Sequence, residues 1–235
     1  MIIADLPADR RIPLGNVHEV VKLMLEPTPE DFVWRGMGNA DWCPSSSLDR
    51  FIRDAGIADK GAAKARLHTE FVSACYHIGR TVAASDNDAF WAFAQHEGLP
   101  SPFLDWTSSP WIALYFAASS PTQNPTTQKG LILRLDKKGI PDGAGDLRRY
   151  EPPGPFDSRR LPAQLGLFTE TVDVCFLEAL KRLSRLNLIT AYTFPMAIAR
   201  DLLEQLARMN IRDVTLFPDL SGAIREAKVR TMRAL

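Results

Sequence analysis

The sequence predicts a single α+β domain built on a mixed, partly antiparallel β-sheet crossed by helices. Three observations lead there. Helix-period apolar patterns and short β-prone runs alternate along all 235 residues. Over 187–222 a strand, a helix and a strand follow one another with short connections, which reads as a parallel β-α-β crossover unit at the C-terminal side. The composition, 46% apolar and 24% charged, is that of a globular chain, with no internal repeat or low-complexity tract to divide it.

Asn16 caps a first helix in which Val17, Val20, Val21, Met24 and Leu25 recur at helical spacing, and Pro27 and Pro29 end it. Phe32-Val33-Trp34 is apolar and β-prone and reads as a strand carrying Arg35 at its end. Gly38 to Ser47, rich in Gly, Asn, Pro and Ser, reads as a loop. A long helix is predicted from about Ala62 to Ala84, because Leu67, Phe71, Ala74, Cys75 and Ile78 share one face. Asp86 or Asn87 caps the next helix, Phe90, Phe93 and Ala94 give it an apolar face, and Gly98 stops it. Leu99 to Trp106 then crosses the core in extended form. Thr107 or Ser108 caps a helix with Pro110 in its first turn, and Trp111 to Ala118 is apolar almost all round, so that helix is expected to be buried. Ser119 to Lys129 is a polar connection, Gly130 to Asp136 a strand, and Ile140 to Ser158 irregular. Last come a strand near Leu188–Thr193, a helix opened by Pro195 and running through Met209, and a strand Val214–Phe217.

Several classes of function are disfavoured at once. A membrane-spanning helix needs about 18 or more unbroken apolar residues, whereas the longest run is Trp111 to Ala118. Residues 1–11 lack the apolar stretch of a secretory signal, so a cytoplasmic location with no membrane contact is expected. Cys43, Cys75 and Cys175 are odd in number, far apart and in no CxxC or CxxH pair, which fits reduced thiols better than a disulfide framework or a metal site. Net charge is zero, yet the first 120 residues carry −5 and the rest +5. The basic half reads as solvated helix faces or as a surface for an anionic partner. No RNA-binding motif or basic–aromatic run supports nucleic acid.

Three polar clusters stand against the apolar background. In Trp34-Arg35-Gly36 an arginine lies beside a glycine that permits close approach of a ligand or a backbone. Its guanidinium suits phosphate or carboxylate, or pairs with a carboxylate such as Asp105. In the second cluster, Gln95 to Pro110, His96 ends a helix, where it serves a site or offsets the helix C-terminus. Asp105 interrupts an apolar crossing and must find partners if buried, so its removal is expected to destabilise strongly. Thr107 and Ser108 stand at a helix N-terminus, as anion-binding groups or as plain caps. In the third cluster, Arg160 to Thr169, Gln164 and Gly166 break an otherwise apolar strand or turn. Trp34, Trp106 and Trp111 read as core or pocket-wall aromatics.

Order and spacing of these clusters resemble the FRG-domain family of bacterial and phage-associated proteins. An aromatic-Arg-Gly followed by W…PS-L-x-R is similar to Trp34-Arg35-Gly36 with Trp42, Ser47, Leu48 and Arg50. The pattern QH-x-GLPT-R-LLDWT-x-S-P-x-x-AL-x-FA is matched by Gln95, His96, Gly98 to Pro100, Leu104 to Thr107, Ser109, Pro110, Ala113, Leu114, Phe116 and Ala117. RI-x-x-Q-x-G-x-FT is similar to Arg160-Leu161, Gln164, Gly166, Phe168 and Thr169, and LFPDL-x-G to Leu216–Leu220 and Gly222. Ser101 and Pro102 replace the pattern's Thr and Arg, and Ser46 its Pro; Ser101 keeps the hydroxyl, whereas Pro102 removes a cation and an N–H. The resemblance divides the chain into an N-terminal helical segment, 1–30, an FRG-like domain, 31–222, and a basic C-terminal tail or helix, 223–235.

A second resemblance, at the level of fold, is to mono-ADP-ribosyltransferases of the arginine–serine–glutamate type, through Phe32–Gly36 and Asp105–Ala117 in the same order. It implies an NAD-consuming toxin or antiphage effector that modifies a macromolecule, with an antitoxin or immunity protein as a further partner. In that scheme NAD is a substrate held by Trp34, Arg35, Gly36, His96, Ser101, Asp105, Thr107 and Ser108, and the catalytic set is Arg35, His96, Thr107, Gln164 and Glu170. Breaking the nicotinamide–ribose bond develops positive charge on the sugar, so a carboxylate or amide near it is needed. No Glu-x-Glu or Gln-x-Glu occurs in the second half, which leaves Glu170 as the carboxylate and Gln164 as the amide. The alternative is a non-catalytic sensing or binding module that takes a phosphorylated ligand or protein partner in an Arg35–His96–Asp105 pocket.

Overall fold

A computed structural model describes residues 6–27, 29–82, 87–120, 122, 124–140, 147–152, 160–171 and 176–234. Strand β1 (Arg11–Pro13) and helix α1 (Val17–Leu25) are followed by β2 (Phe32–Met37), α2 (Ser47–Asp54), α3 (Lys60–His77), α4 (Asp88–His96) and β3 (Phe103–Thr107). Next come α5 (Pro110–Ala118), β4 (Lys129–Asp136), β5 (Leu147–Tyr150), α6 (Arg160–Ala163), β6 (Gly166–Thr171) and α7 (Phe176–Arg185). The chain closes with β7 (Ile189–Pro195), α8 (Ala199–Arg208), α9 (Asp213–Leu216) and α10 (Leu220–Ala234). The strands form one sheet in the order β1-β7-β4-β2-β3-β6-β5, antiparallel except for the β1–β7 pair. The molecule is therefore an α+β domain on a mixed, mostly antiparallel sheet, as its sequence predicts.

Each helix that positions the site is started by a short polar side chain. Asn16 accepts from the Glu19 N–H, Asn87 from that of Phe90, and Ser109 from that of Ile112. One sheet face is covered by α1, α5 and α8, which bury Val20, Leu114 and Leu202 against Trp34, Ile132 and Tyr192. Helix α7 covers the other face, with Leu180 and Leu183 on Val33, Leu104 and Leu133. A third cluster packs α3 and α4 on Phe103 and Phe168. Trp34 and Trp106 are buried, and Trp111 packs partly buried on the first cluster. None of the helices is long and apolar enough to cross a membrane, among the described residues.

Several expectations are corrected. Val214–Leu216 of the expected strand Val214–Phe217 lie in a helix, so residues 187–222 form no β-α-β unit: both edges of β7 are already taken, by β1 and β4, and no place remains for a further parallel partner among the described residues. Asn210, at φ 61°, turns the chain after α8, and the Thr215 hydroxyl accepts from the Arg212 N–H and donates to the Asn210 carbonyl, closing a helical turn. Ser47 opens α2, inside the predicted loop's end, because Ser46 and Asp49 form a capping box. The long helix is α3, begun by the Asp59 cap and ended before Gly79 at φ 72°, which leaves Ala74 and Ile78 exposed and not in the core. Ser109, not Thr107 or Ser108, caps α5, because Thr107 is the last residue of β3. Within the irregular stretch 140–158, Leu147–Tyr150 form an edge strand. Ala84, Asp86 and Cys175 lie outside the described residues; Cys43 and Cys75 are reduced thiols.

Candidate functional site

β2 pairs with β4 along its six residues and β3 pairs with β6 along its five, but β2 and β3 meet at a single register pair, Trp34 opposite Thr107. Beyond that pair the two strands part and the sheet opens. The gap is a cleft of about 900 Å³, within the size range of small-molecule sites. Its walls are Arg35 to Met37 of β2, Asp41, Trp42 and Cys43 from the following loop, Arg50 and Arg53 of α2, and Gln95 and His96 of α4. Asp105 to Thr107 of β3, Phe168 of β6, Arg160 of α6, Gln164 just after it, and Phe217 also line it.

Arg35 lies mid-strand, with its guanidinium across the opening. Nη1 donates to the Asp105 carbonyl at 2.6 Å and stands 3.8 Å from the Asp105 carboxylate, while the buried Nε has no partner among the described residues. Burial lowers its pKa, Asp105 works against that, and Arg50 adds to it. Arginine keeps its charge through such a shift, so the site holds a poorly solvated cation with a spare donor. Such a group favours an incoming anion.

Asp105 is not the buried brace its apolar neighbours suggest. Its side chain is 58% exposed, where β2 and β3 are no longer paired, and it accepts from Gln95 Nε2 at 2.5 Å. Asp105→Ala is accordingly expected to change stability by less than about 1 kcal/mol, as thermal melts will check. Ser101, by contrast, is fully buried: its hydroxyl donates to Gln95 Oε1 at 2.6 Å and accepts from the Phe103 N–H, and it lies off the cleft wall. Trp106 is fixed by a 2.9 Å bond from Nε1 to the Thr169 hydroxyl.

Gly36, on the cleft wall, also admits a helix. A Cβ there would stand 1.8 Å from the Ala113 carbonyl oxygen and 2.7 Å from the Ala117 nitrogen, so the missing side chain is what lets α5 lie against β2. Thr107 lines the cleft, but its hydroxyl donates to the Gln164 carbonyl at 2.7 Å and accepts from the Ser109 N–H. Ser108 is exposed, gives its N–H to the Leu165 carbonyl and lies off the cleft wall. Gln164 lines the cleft and ties α6 to α9 by donating from Nε2 to the Leu216 carbonyl at 3.0 Å.

Glu170 stands outside the cleft. Its register on β6, opposite Phe103 and Arg148, places it two residues past Phe168, where it pairs with Lys64 at 3.0 Å and with Arg148. Arg148 in turn grips Asp88 at 2.6 and 2.7 Å, and these bonds hold its guanidinium charged against the cost of burial. The carboxylates that do line the cleft are Asp41 and Asp105, among the described residues.

His96 is half-buried, and its pKa is lowered by burial and then by Arg160, against the opposing charges of Glu97 and Asp219. The unfolded chain, with a histidine near 6.5, therefore binds more protons than the folded one just below that pH. Stability contributed by neutral His96 is complete above about pH 6.5 and is lost as the pH falls through the lowered folded value. The melting temperature of the wild type is expected to fall more steeply between pH 7 and 5 than that of His96→Gln. Arg160 itself bonds Asp219 at 2.5 Å and the Ser221 hydroxyl at 2.9 Å, and it lies over the Phe217 ring. These contacts hold Asp219 ionised well below the ordinary carboxylate range.

Residues 30–126 match the family model of the FRG domain. Over those residues the chain carries an FRG domain. The matched FRG residues run from before β2 to beyond α5 and so include Arg35, Arg50, Gln95, His96 and Asp105. Arg160, Gln164, Asp219 and Gly222 lie outside the match, yet the first three join one another's elements at the far wall of the cleft. No curated protein and no solved structure matches the chain.

Arg53 and Asp41 are cleft residues that reading the sequence does not single out, and Arg50 and Phe217 enter it only as parts of motifs. The signal for the arginines was present: Ser46-x-x-Asp49 announces a helix, on which Arg50 and Arg53, three residues apart, share a face.

Proposed function

We propose that the cleft of this FRG domain binds a phosphorylated nucleotide, NAD being the candidate, and that the protein is an ADP-ribosyltransferase-like effector acting on a macromolecule. The observation that carries the reading is the poorly solvated guanidinium of Arg35, on the wall of a cleft that also receives Arg50, Arg53 and Arg160. Arginine forks of this kind take phosphate oxygens. Aromatic surface is at hand for a ring: Trp34, Trp106 and Trp42 all border the cleft, the first two buried and Trp42 with the residue 49% exposed.

NAD would supply an activated sugar whose bond to nicotinamide breaks with positive charge developing on the ribose. The chain's contribution to that step is a carboxylate facing the sugar, and Asp105 takes this role in place of Glu170. Arg35 and Arg50 hold phosphate, and the aromatic walls exclude water. A second reading, binding without turnover, is favoured by one observation: the glutamate that the resemblance designates is tied up with Lys64 and Arg148. FRG-domain membership fits both.

Incubation with labelled NAD and cell lysate decides between them. Transfer of label to a macromolecule, or release of nicotinamide, that disappears in Asp105→Asn and Arg35→Ala supports the transferase. Saturable NAD binding with neither transfer nor release supports the binding module. Binding of NAD is also expected to quench the fluorescence of exposed Trp42, and Trp42→Ala to remove most of that change.

A further inference from the structure

We infer that Gln95 is the positioning residue of the cleft, and that Ser101 fixes which way its amide faces so that Arg35 and Asp105 are presented side by side to a ribosyl phosphate. The geometry begins at α2. The Ser101 N–H donates to the Ser47 hydroxyl at 2.8 Å and its carbonyl accepts from the Leu48 N–H at 3.0 Å, which pins residue 101 under the start of that helix. Its hydroxyl already accepts from the Phe103 N–H at 3.0 Å, so its one proton goes to Gln95 Oε1, at 2.6 Å. The carbonyl end of the amide is thereby committed to Ser101. The NH₂ end must face the other way, and it meets Asp105 Oδ1 at 2.5 Å. Reversing the amide would set a carbonyl oxygen against an ionised carboxylate.

The consequence lies in what Asp105 does not do. Its carboxylate is mostly exposed, and Arg35 Nη1 stands 3.8 Å away in a long ion pair, which a small rotation of the aspartate would tighten into a direct hydrogen bond. The bond to Gln95 holds it back. Arg35 therefore keeps donor capacity on its guanidinium and Asp105 keeps acceptor capacity on its carboxylate, and both residues line the cleft. A donor for phosphate beside an acceptor for a hydroxyl is the complement of a phosphorylated ribose. This functional part rests on the nucleotide reading of the cleft; the clamp itself does not.

Two measurements on the full chain separate those parts. In ¹⁵N spectra of side-chain amides, assigned by loss of the signal in Gln95→Glu, the Gln95 NH₂ pair is expected to be well split, with one proton shifted downfield. Asp105→Asn and Ser101→Ala should each collapse that pattern, and Ser101→Thr, which keeps the hydroxyl, should preserve it. A Gln95 signal like that of a free amide, or one unmoved by Asp105→Asn, would overturn the clamp whatever the protein binds. In titrations with ribose 5-phosphate, Gln95→Leu is expected to bind about tenfold more weakly, the scale of lost outer-shell support. Adding Asp105→Asn should restore phosphate binding by freeing Arg35. Equal affinity of Gln95→Leu and wild type would overturn the positioning role. Absence of binding by the wild type would remove the nucleotide reading alone, since the amide spectrum still decides the clamp.

Discussion

Gly36→Ala is expected to cost at least about 3 kcal/mol, the upper end for overpacking a filled core. The added methyl would meet the Ala113 carbonyl oxygen at 1.8 Å and the Ala117 nitrogen at 2.7 Å, and both are backbone atoms of α5, which cannot swing aside as a side chain does. Relief requires the helix to move off β2. That helix buries Ile112, Ala113, Leu114, Ala117 and Ala118 in the main core, so any such shift is paid across the cluster. For a chain of this size the loss corresponds to a fall of about 6–12 °C in melting temperature. Calorimetry will check it; a variant melting within a degree or two of wild type would mean that α5 does not lie on β2 as described. Binding should be lost with folding, because α5 follows directly on the strand that bears Asp105 and Thr107.

The second large effect is expected at Glu170. Its side chain is 6% exposed and is shared by Lys64 and Arg148, so Glu170→Gln leaves two cations facing a neutral amide. Breaking one member out of a buried charged network costs about 3–5 kcal/mol. The network joins α3, α4, β5 and β6, and its loss should loosen the α3–α4 layer first. At a temperature where Glu170→Gln is still folded, ligand affinity is expected to equal that of wild type. Urea melts together with a ligand titration test both halves. A variant of full stability that has lost turnover would return Glu170 to the chemistry and contradict its placement outside the cleft.

Much of the fold was legible because the local signals agree with the tertiary outcome. Asn16 and Asn87 cap the helices they were expected to cap, Gly98 at φ 95° ends α4, and the apolar run 111–118 is a buried helix. Misreadings arose where periodicity is ambiguous or where a strand's neighbours decide. Leu216 and Phe217 are as apolar as a strand requires, but nothing in the local pattern says that β7 has no free edge. Asp105 sits among Leu104 and Trp106, so it looks buried; that β2 pairs with β3 only at Thr107 and leaves Asp105 beside an opening depends on residues some 70 positions away.

The candidate site was legible as motifs and less so as roles. Arg35, His96, Asp105, Thr107 and Gln164 do converge on one cleft, drawn from four separate stretches of chain. Gly36 and Ser101 belong to the same motifs but act on protein, one by admitting α5 and the other by holding Gln95. Ser108 and Glu170 stand apart from the cleft. A residue type in a motif indicates what chemistry is available, whereas burial and the partner already engaged determine whether it is free for a ligand.

The claim on which these readings depend is that the opening between β2 and β3 receives a phosphorylated nucleotide through Arg35. Calorimetric titration of wild type and Arg35→Ala with NAD and with ADP-ribose tests it most directly. Saturable one-site binding by the wild type is expected, weakened about 10–100-fold in an Arg35→Ala protein of unchanged circular dichroism, as removal of charge-assisted hydrogen bonds predicts. Failure of the wild type to bind either compound, or equal affinity in the variant, would contradict the account.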